Sequence, residues 1–189
     1  LNIGTAVGYI RIIDTVAPTW NSAAGALDRT ISCSDAAGLA AAQNLNPVAA
    51  DNCDALPVLT KISGNASPGS CPNSASYTNT WTAKDACNNT SSIYTQLITI
   101  IDNAAPVIST QAQNLSVSCN GSGNVTDLNN WLASHAGAVA TDACGVVTWT
   151  NNYTALTPAC GATGSATVVF TVTDACNNST TVTQTIQIQ

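Results

Sequence analysis

The chain has 189 residues, enough for one or two small domains, and only 7% of them are charged, against roughly 25% in an ordinary soluble domain. Four basic residues and a net charge of −6 exclude the clustered positive charge that nucleic-acid binding needs. No run of 18 apolar residues occurs, so no membrane insertion is expected, and the Thr, Ser and Asn that fill the sequence suit the uncharged polar surface of a secreted β protein.

In chain order, Tyr9-Ile10-Arg11-Ile12-Ile13-Asp14 reads like Leu97-Ile98-Thr99-Ile100-Ile101-Asp102. Residues 1–13 are therefore expected to be the last strand of a preceding repeat, and the chain a piece of a longer polypeptide. Ser34-Asp35 and the Ala-rich stretch to Gln43 predict a short helix. Strands are predicted over Leu56–Ile62 and Ser76–Ala83; in the latter Tyr77, Asn79, Trp81 and Ala83 alternate with Thr78, Thr80 and Thr82. Asp85-Ala86-Cys87-Asn88-Asn89 predicts a tight turn, because Asp and Asn bond the local backbone and tolerate left-handed conformations. A final strand over Ile93–Ile101 follows. In the second half Thr126 is expected to cap a helix whose Leu128, Trp131, Leu132 and His135 share one face. Val168, Phe170 and Val172 alternate with Val169, Thr171 and Thr173, and Val182–Ile188 closes the chain. Trp81 and Phe170, each four residues before a turn Asp, are the expected core anchors. The class is all-β: tandem immunoglobulin-like β-sandwich repeats, each with one short helix and two disulfides.

The repeat organises the sequence. Asp14-Thr15-Val16-Ala17-Pro18 returns as Asp102-Asn103-Ala104-Ala105-Pro106, Ala50-Asp51-Asn52-Cys53 as Thr141-Asp142-Ala143-Cys144, and Lys84-Asp85-Ala86-Cys87-Asn88-Asn89 as Thr173-Asp174-Ala175-Cys176-Asn177-Asn178. Cys33 matches Cys119, and Cys71 matches Cys160. Shared punctuation at a shared period marks a domain array, with repeats at 14–101 and 102–189.

Eight Cys in a chain poor in Lys and rich in Thr point to an oxidising compartment and to disulfides. No C-x2-C pair supports a zinc site. Four Cys per repeat allow three pairings. A strand of about 26 Å separates Cys71 from Cys87, which favours Cys53–Cys87 with Cys33–Cys71, and Cys144–Cys176 with Cys119–Cys160, without closing the question. Three Asp recur in each repeat: Asp14, Asp51 and Asp85, then Asp102, Asp142 and Asp174. They are either caps of tight turns or oxygen ligands for Ca2+ at a junction between repeats. His135 is the only His, and with no second His and no Glu no nucleophile–base set can be assembled, so the chain is not expected to be an enzyme. Trp20, Trp131 and Trp149 are assigned to the core in preference to a sugar-binding platform.

The frame Asp-x-x-Ala-Pro, Ala-Asp-Asn-Cys-Asp, Ser-Cys-Pro-Asn-Ser, Trp-Thr-Ala-Lys-Asp-Ala-Cys-Asn-Asn and Thr-Gln-Leu-Ile-Thr-Ile-Ile-Asp resembles the hyalin-repeat-like (HYR-like) modules of giant Bacteroidota surface adhesins, the gliding-motility adhesins of the SprB type in particular. The second repeat departs from the frame at Cys160-Gly161-Ala162. The resemblance implies an immunoglobulin-like fold, a location at the extracellular cell surface and a structural or adhesive role in a long fibre. Neighbouring repeats of the same polypeptide, and surface polysaccharide or other surface ligands, are the partners this implies. Asp14-Thr15-Val16 also resembles the Bacteroidota O-glycosylation motif, making Thr15 a candidate glycan site. The alternatives are a carbohydrate-binding accessory module of a secreted protein and a subunit of a strand-exchanged filament.

Overall fold

Thr alternating with Val, Ile and aromatic residues lays down fourteen strands over residues 8–189, the part of the chain that the computed structural model describes. The first repeat runs β1 (Thr19–Trp20), β2 (Arg29–Ser32), α1 (Ala36–Gln43), β3 (Ala49–Ala50), β4 (Val58–Ile62), β5 (Ser67–Pro68), β6 (Ala75–Lys84) and β7 (Tyr94–Ile101). The same order returns as β8 (Val107–Thr110), β9 (Leu115–Val117), α2 (Val125–Ala133), a 3-10 turn at His135–Gly137, β10 (Val139–Thr141), β11 (Val147–Asn151), β12 (Thr157–Pro158), β13 (Gly164–Asp174) and β14 (Ser179–Ile188).

Two compact units result, and they do not coincide with the sequence repeats. The first takes residues up to Thr30, Ala37–Ser67 and Ser76–Thr99; the second takes Ile31–Ala36, Pro68–Ala75 and Ile100–Gln189. Two loops that belong to the first repeat by sequence therefore belong to the second unit by contact.

In the first unit the main sheet has the order β2-β7-β6-β4, with β5 beside β6, and β1 pairs with β3 in a second small sheet. The long strands obey the period of two that pleating imposes. Asn79, Trp81 and Ala83 of β6 and Tyr94, Gln96 and Ile98 of β7 are buried. Trp81 donates its indole N–H to Asn46 Oδ1 at 3.1 Å and meets Tyr94 edge-on at 6.1 Å. The two buried amides satisfy each other and their surroundings. Asn79 Nδ2 donates to Gln43 Oε1 and to Gln96 Oε1, both at 2.9 Å, and Gln96 Nε2 donates to the carbonyls of Leu27 and Ala42. An unpaired amide here would carry its full desolvation penalty.

In the second unit the order is β11-β13-β14-β9, with β12 beside β13, and β8 pairs with β10. β14 meets β9 in parallel, Ile186 opposite Leu115 and Ile188 opposite Val117. Val168, Phe170 and Ile186 form the core with Leu128 and Trp131 of α2, and Trp131 meets Phe170 edge-on at 5.2 Å. Gly164 opens β13 opposite Pro158, where an added Cβ would lie 2.5 Å from the Thr157 carbonyl oxygen; only a bare backbone fits.

Two expectations about the second helix need correction. The N-cap of α2 is Asn124, in the left-handed region at φ 48°, and Thr126 lies inside the helix. His135 is past the helix end, in the 3-10 turn at φ 55°, because the chain reverses after Ala133 to enter β10. Residues 1–7 of the expected leading strand lie outside the described residues. Residues 8–13 form no strand here, and Ile10 and Ile12 are 94% and 92% exposed.

Phe170 has the largest side chain that the second unit buries completely. Phe170→Ala is expected to destabilise that unit by about 3–5 kcal/mol through lost burial and the cavity left behind, read as a lowered midpoint in denaturant unfolding.

Candidate functional site

The turn between the two longest strands of each repeat builds the site. In the second unit Asp174 Oδ1 accepts from the backbone N–H groups of Cys176 and Asn178, each at 2.8 Å, and Oδ2 accepts from Asn178 Nδ2 at 2.8 Å. Asn177 takes a left-handed φ of 70°, which Asn tolerates better than most residues. Asn178 Nδ2 also donates to the Asp102 carbonyl at 3.3 Å, so the turn holds the chain that enters the repeat. The first unit repeats this arrangement. Asp85 accepts from Asn89 N and Nδ2 at 2.8 and 2.7 Å, and Asn89 Nδ2 reaches the Asp14 carbonyl at 3.2 Å.

The same turns gather both groups of three Asp. One carboxylate oxygen from each of Asp14, Asp51 and Asp85 lies within 4.8 Å of the other two, and Asp102, Asp142 and Asp174 do the same. Each triad thus comes from the chain entering the repeat, the Asp-x-Cys loop and the Asp-Asn turn. Backbone donors fix the individual carboxylates. Asp51 Oδ1 accepts from Cys53 and Asp54 N–H at 3.0 Å, Asp142 Oδ1 from Cys144 N–H at 2.8 Å, Asp14 Oδ1 from Val16 N–H at 3.0 Å and Asp102 Oδ1 from Ala104 N–H at 3.2 Å. Asp51 Oδ2 is buried with no hydrogen-bond partner. Three converging carboxylates carry a concentrated negative charge, and the chain has only four basic residues. Of these, Arg29 bonds the carbonyls of Ala26 and Asp28, and Lys61 bonds the Gln43 carbonyl and lies over the Trp81 ring. Several hard oxygens, one of them orphaned, fit the donor set that Ca2+ takes.

Burial pushes the Asp85 and Asp174 carboxyls up, but hydrogen bonds from Asn89 and Asn178, side chain then backbone, outweigh it, and both end below the ordinary carboxylate value. Desolvation, then the negative charges of Asp14 and Asp51, pushes the Cys53 thiol up.

The disulfides differ from expectation. Cys33 pairs with Cys144 and Cys71 with Cys176, with Cα atoms 5.9 and 5.2 Å apart. Cys53, Cys87, Cys119 and Cys160 are unbonded. The expected pairs within a repeat, Cys33–Cys71, Cys53–Cys87, Cys119–Cys160 and Cys144–Cys176, do not form, and the chain holds two disulfides where four were expected. The reason is polarity. Cys33 and Cys71 lie within residues 31–36 and 68–75, the segments that the second unit takes in, and there they meet the Asp-x-Cys loop and the Asp-Asn turn of the next repeat. Asn73 Nδ2 donates to the Cys144 carbonyl at the same place. Its signal was present in Ser-Cys-Pro-Asn-Ser, but nothing in one repeat alone shows what that loop faces.

The remaining candidates are packing groups. His135 stacks on Trp149 at 4.8 Å between ring centroids, and burial lowers its pKa. Trp131 is buried and donates to the Gln113 carbonyl, while Trp20 donates to the Ser92 carbonyl and packs on Tyr94; these tryptophans do not make an exposed row. Thr15 is exposed. Among the described residues, no helix is long and apolar enough to cross a membrane.

The sequence matches no protein-family model and no curated protein. Solved structures similar to the chain include Drosophila N-cadherin EC1-4, at 10% identity and a TM-score of 0.36, with 92% of this chain and 50% of that one covered. Human Protocadherin-24 EC1-2 is another, at 15% identity and 0.32, covering 93% of this chain and 100% of that one. Protocadherin Gamma B7 domains 1-4 align at 11% identity and 0.33, over 92% and 51%. The chain thus spans about half the length of the first of these.

The lowered Asp carboxyls set an acid limit. A carboxyl depressed in the folded state contributes stability that is complete above its unfolded value of about 3.9 and is lost as pH falls through the folded value. Thermal melts of the wild type should therefore fall steeply below about pH 4, and Asp174→Asn should flatten that fall while lowering the melting temperature at neutral pH.

Proposed function

We propose that this chain is a section of a repeat array in a long extracellular surface fibre, where it acts as a covalently reinforced spacer and adhesive element rather than an enzyme. The observation that carries this reading is the disulfide pattern. Each bond joins a loop of the first repeat to a loop of the second, so tension along the chain meets covalent links in addition to folded sheets. The HYR-like frame, the Thr-rich uncharged surface and the repetition support the same reading, and they favour an adhesin of the gliding-motility kind. Neighbouring repeats are its first partners, with polysaccharide or other ligands of the surface beyond them, and Thr15 is its candidate O-glycan site.

Ca2+ is the cation proposed for the two Asp triads. Asp14, Asp51 and Asp85 would hold one ion, and Asp102, Asp142 and Asp174 another. The bound charge would relieve the crowding of carboxylates and tie the entering chain to the turn loops. Calorimetric titration of the metal-free chain with Ca2+ should show two sites. Asp142→Asn should remove one and leave the other; heats unchanged by this substitution would sink the assignment.

Stretching the chain from its ends tests the mechanical reading. The Cys33–Cys144 bond takes 111 residues out of the load path, which at about 3.3–3.6 Å per residue withholds roughly 370–400 Å of extension. Single-molecule pulling with and without reductant should differ by that length. Equal extension in both conditions would remove the covalent part of the mechanism.

A further inference from the structure

Within one repeat the four Cys fall in a fixed order, Cys33, Cys53, Cys71 and Cys87 in the first and Cys119, Cys144, Cys160 and Cys176 in the second. The two observed bonds join the first Cys of one repeat to the second Cys of the next, and the third to the fourth. The four unbonded residues are those this rule leaves over. Cys53 and Cys87 are the second and fourth of the first repeat, and Cys119 and Cys160 are the first and third of the second repeat. Cys53 stands beside Asp51 and Cys87 beside Asp85, as Cys144 stands beside Asp142 and Cys176 beside Asp174. The two unbonded pairs are thus copies of the two faces already joined in the second unit.

We infer that Cys53/Cys87 and Cys119/Cys160 are the two complementary halves of one staple, each taking another repeat of this same kind, so that every junction of the array is closed by two disulfides with a fixed direction. Cys53 takes the first Cys of a preceding repeat and Cys87 its third; Cys119 takes the second Cys of a following repeat and Cys160 its fourth. A separate observation names the same partner. Ile10 and Ile12 stand in the register of Ile98 and Ile100 and of Ile186 and Ile188. Ile98 and Ile186 are both 0% exposed, whereas Ile10 is 94% exposed. That side chain has the position of a final-strand core residue and no sheet to enter, which a preceding repeat of this kind provides.

The chemistry balances with a small-molecule disulfide as oxidant. A Cys thiolate attacks it, one small thiol leaves, and the second Cys displaces the other. Two protein thiols become one disulfide, and the oxidant's two sulfurs leave as thiols, carrying the two electrons and two protons. The junction after the second repeat lacks one bond of its predecessor. Ala162 stands where Asn73 donates to the Cys144 carbonyl, so the disulfides carry more of that junction.

This inference rests on reading the chain as part of a repeat array, yet its failure is distinguishable, because the reduction-dependent extension needs only the two bonds already formed. The test is peptide mapping after alkylation, on the chain extended by a second copy of residues 102–189 placed directly after Gln189. Cys119 should be bonded to the added counterpart of Cys144, and Cys160 to that of Cys176. The unextended protein gives a second measurement. Mixing C53S/C87S with C119S/C160S in the presence of oxidised glutathione should yield a dimer linked Cys119–Cys53 and Cys160–Cys87, while each variant alone stays monomeric. A Cys119–Cys160 bond or alkylated Cys119 and Cys160 in the extended chain overturns the inference. So does a mixture that gives no more linked dimer than either variant alone.

Discussion

One carboxylate in each unit holds the functional end together. Asp174 accepts three hydrogen bonds from Cys176 and Asn178, and this closes the turn between β13 and β14. It also sets Cys176 where Cys71 can reach it and aims Asn178 at the entering chain. The carbonyl of Asp102 is held by that amide, which brings the Asp102 side chain to Asp142 and Asp174. Asp85 and Asn89 repeat the arrangement for Asp14. Hydrogen bonds to an ionised acceptor are shorter and stronger than neutral ones. Within each unit the turn, the entering chain and the Asp triad therefore stand or fall as one.

That unity explains what could be read from the residues alone. The alternation through Asn79, Trp81 and Ala83, and through Val168, Phe170 and Val172, is a local consequence of pleating, and the buried face follows from it. The convergence of the Asp triads was legible because all six recur at turn signals, and turns of one kind gather at one end of antiparallel strands. The disulfide partners were not legible. A single repeat offers its four Cys only one another as partners. Nothing in Ser32-Cys33-Ser34 shows that its loop joins the following repeat. The helix start differs for a local reason. Asn ranks above Thr as a capping residue, and Asn124 reverses the chain in a left-handed conformation that Thr disfavours.

The two cores solve one packing problem differently. The first unit places Asn79 at the centre of β6 and satisfies it through Gln43 and Gln96, whereas the second places Val168 at the matching position, fully buried. Gln96 has its counterpart in Gln184, which donates to the Ala112 carbonyl without an Asn partner. An amide network fixes its members more narrowly than apolar contact does, because each has few acceptable geometries. It connects α1, β6 and β7 through directional bonds, and Gln43, the last residue of α1, belongs to it. The second unit reaches the same end with Trp131 and Phe170.

The loops closed by the two disulfides overlap along the sequence, Cys33 to Cys144 and Cys71 to Cys176. A single peptide bond hydrolysed anywhere between residues 33 and 176 is spanned by at least one bridge, and between residues 71 and 144 by both. One protease cut in that stretch therefore leaves no free piece. The fragments remain attached, and the strands on either side of the nick keep their hydrogen-bonded neighbours. This redundancy turns a break in the backbone into local damage.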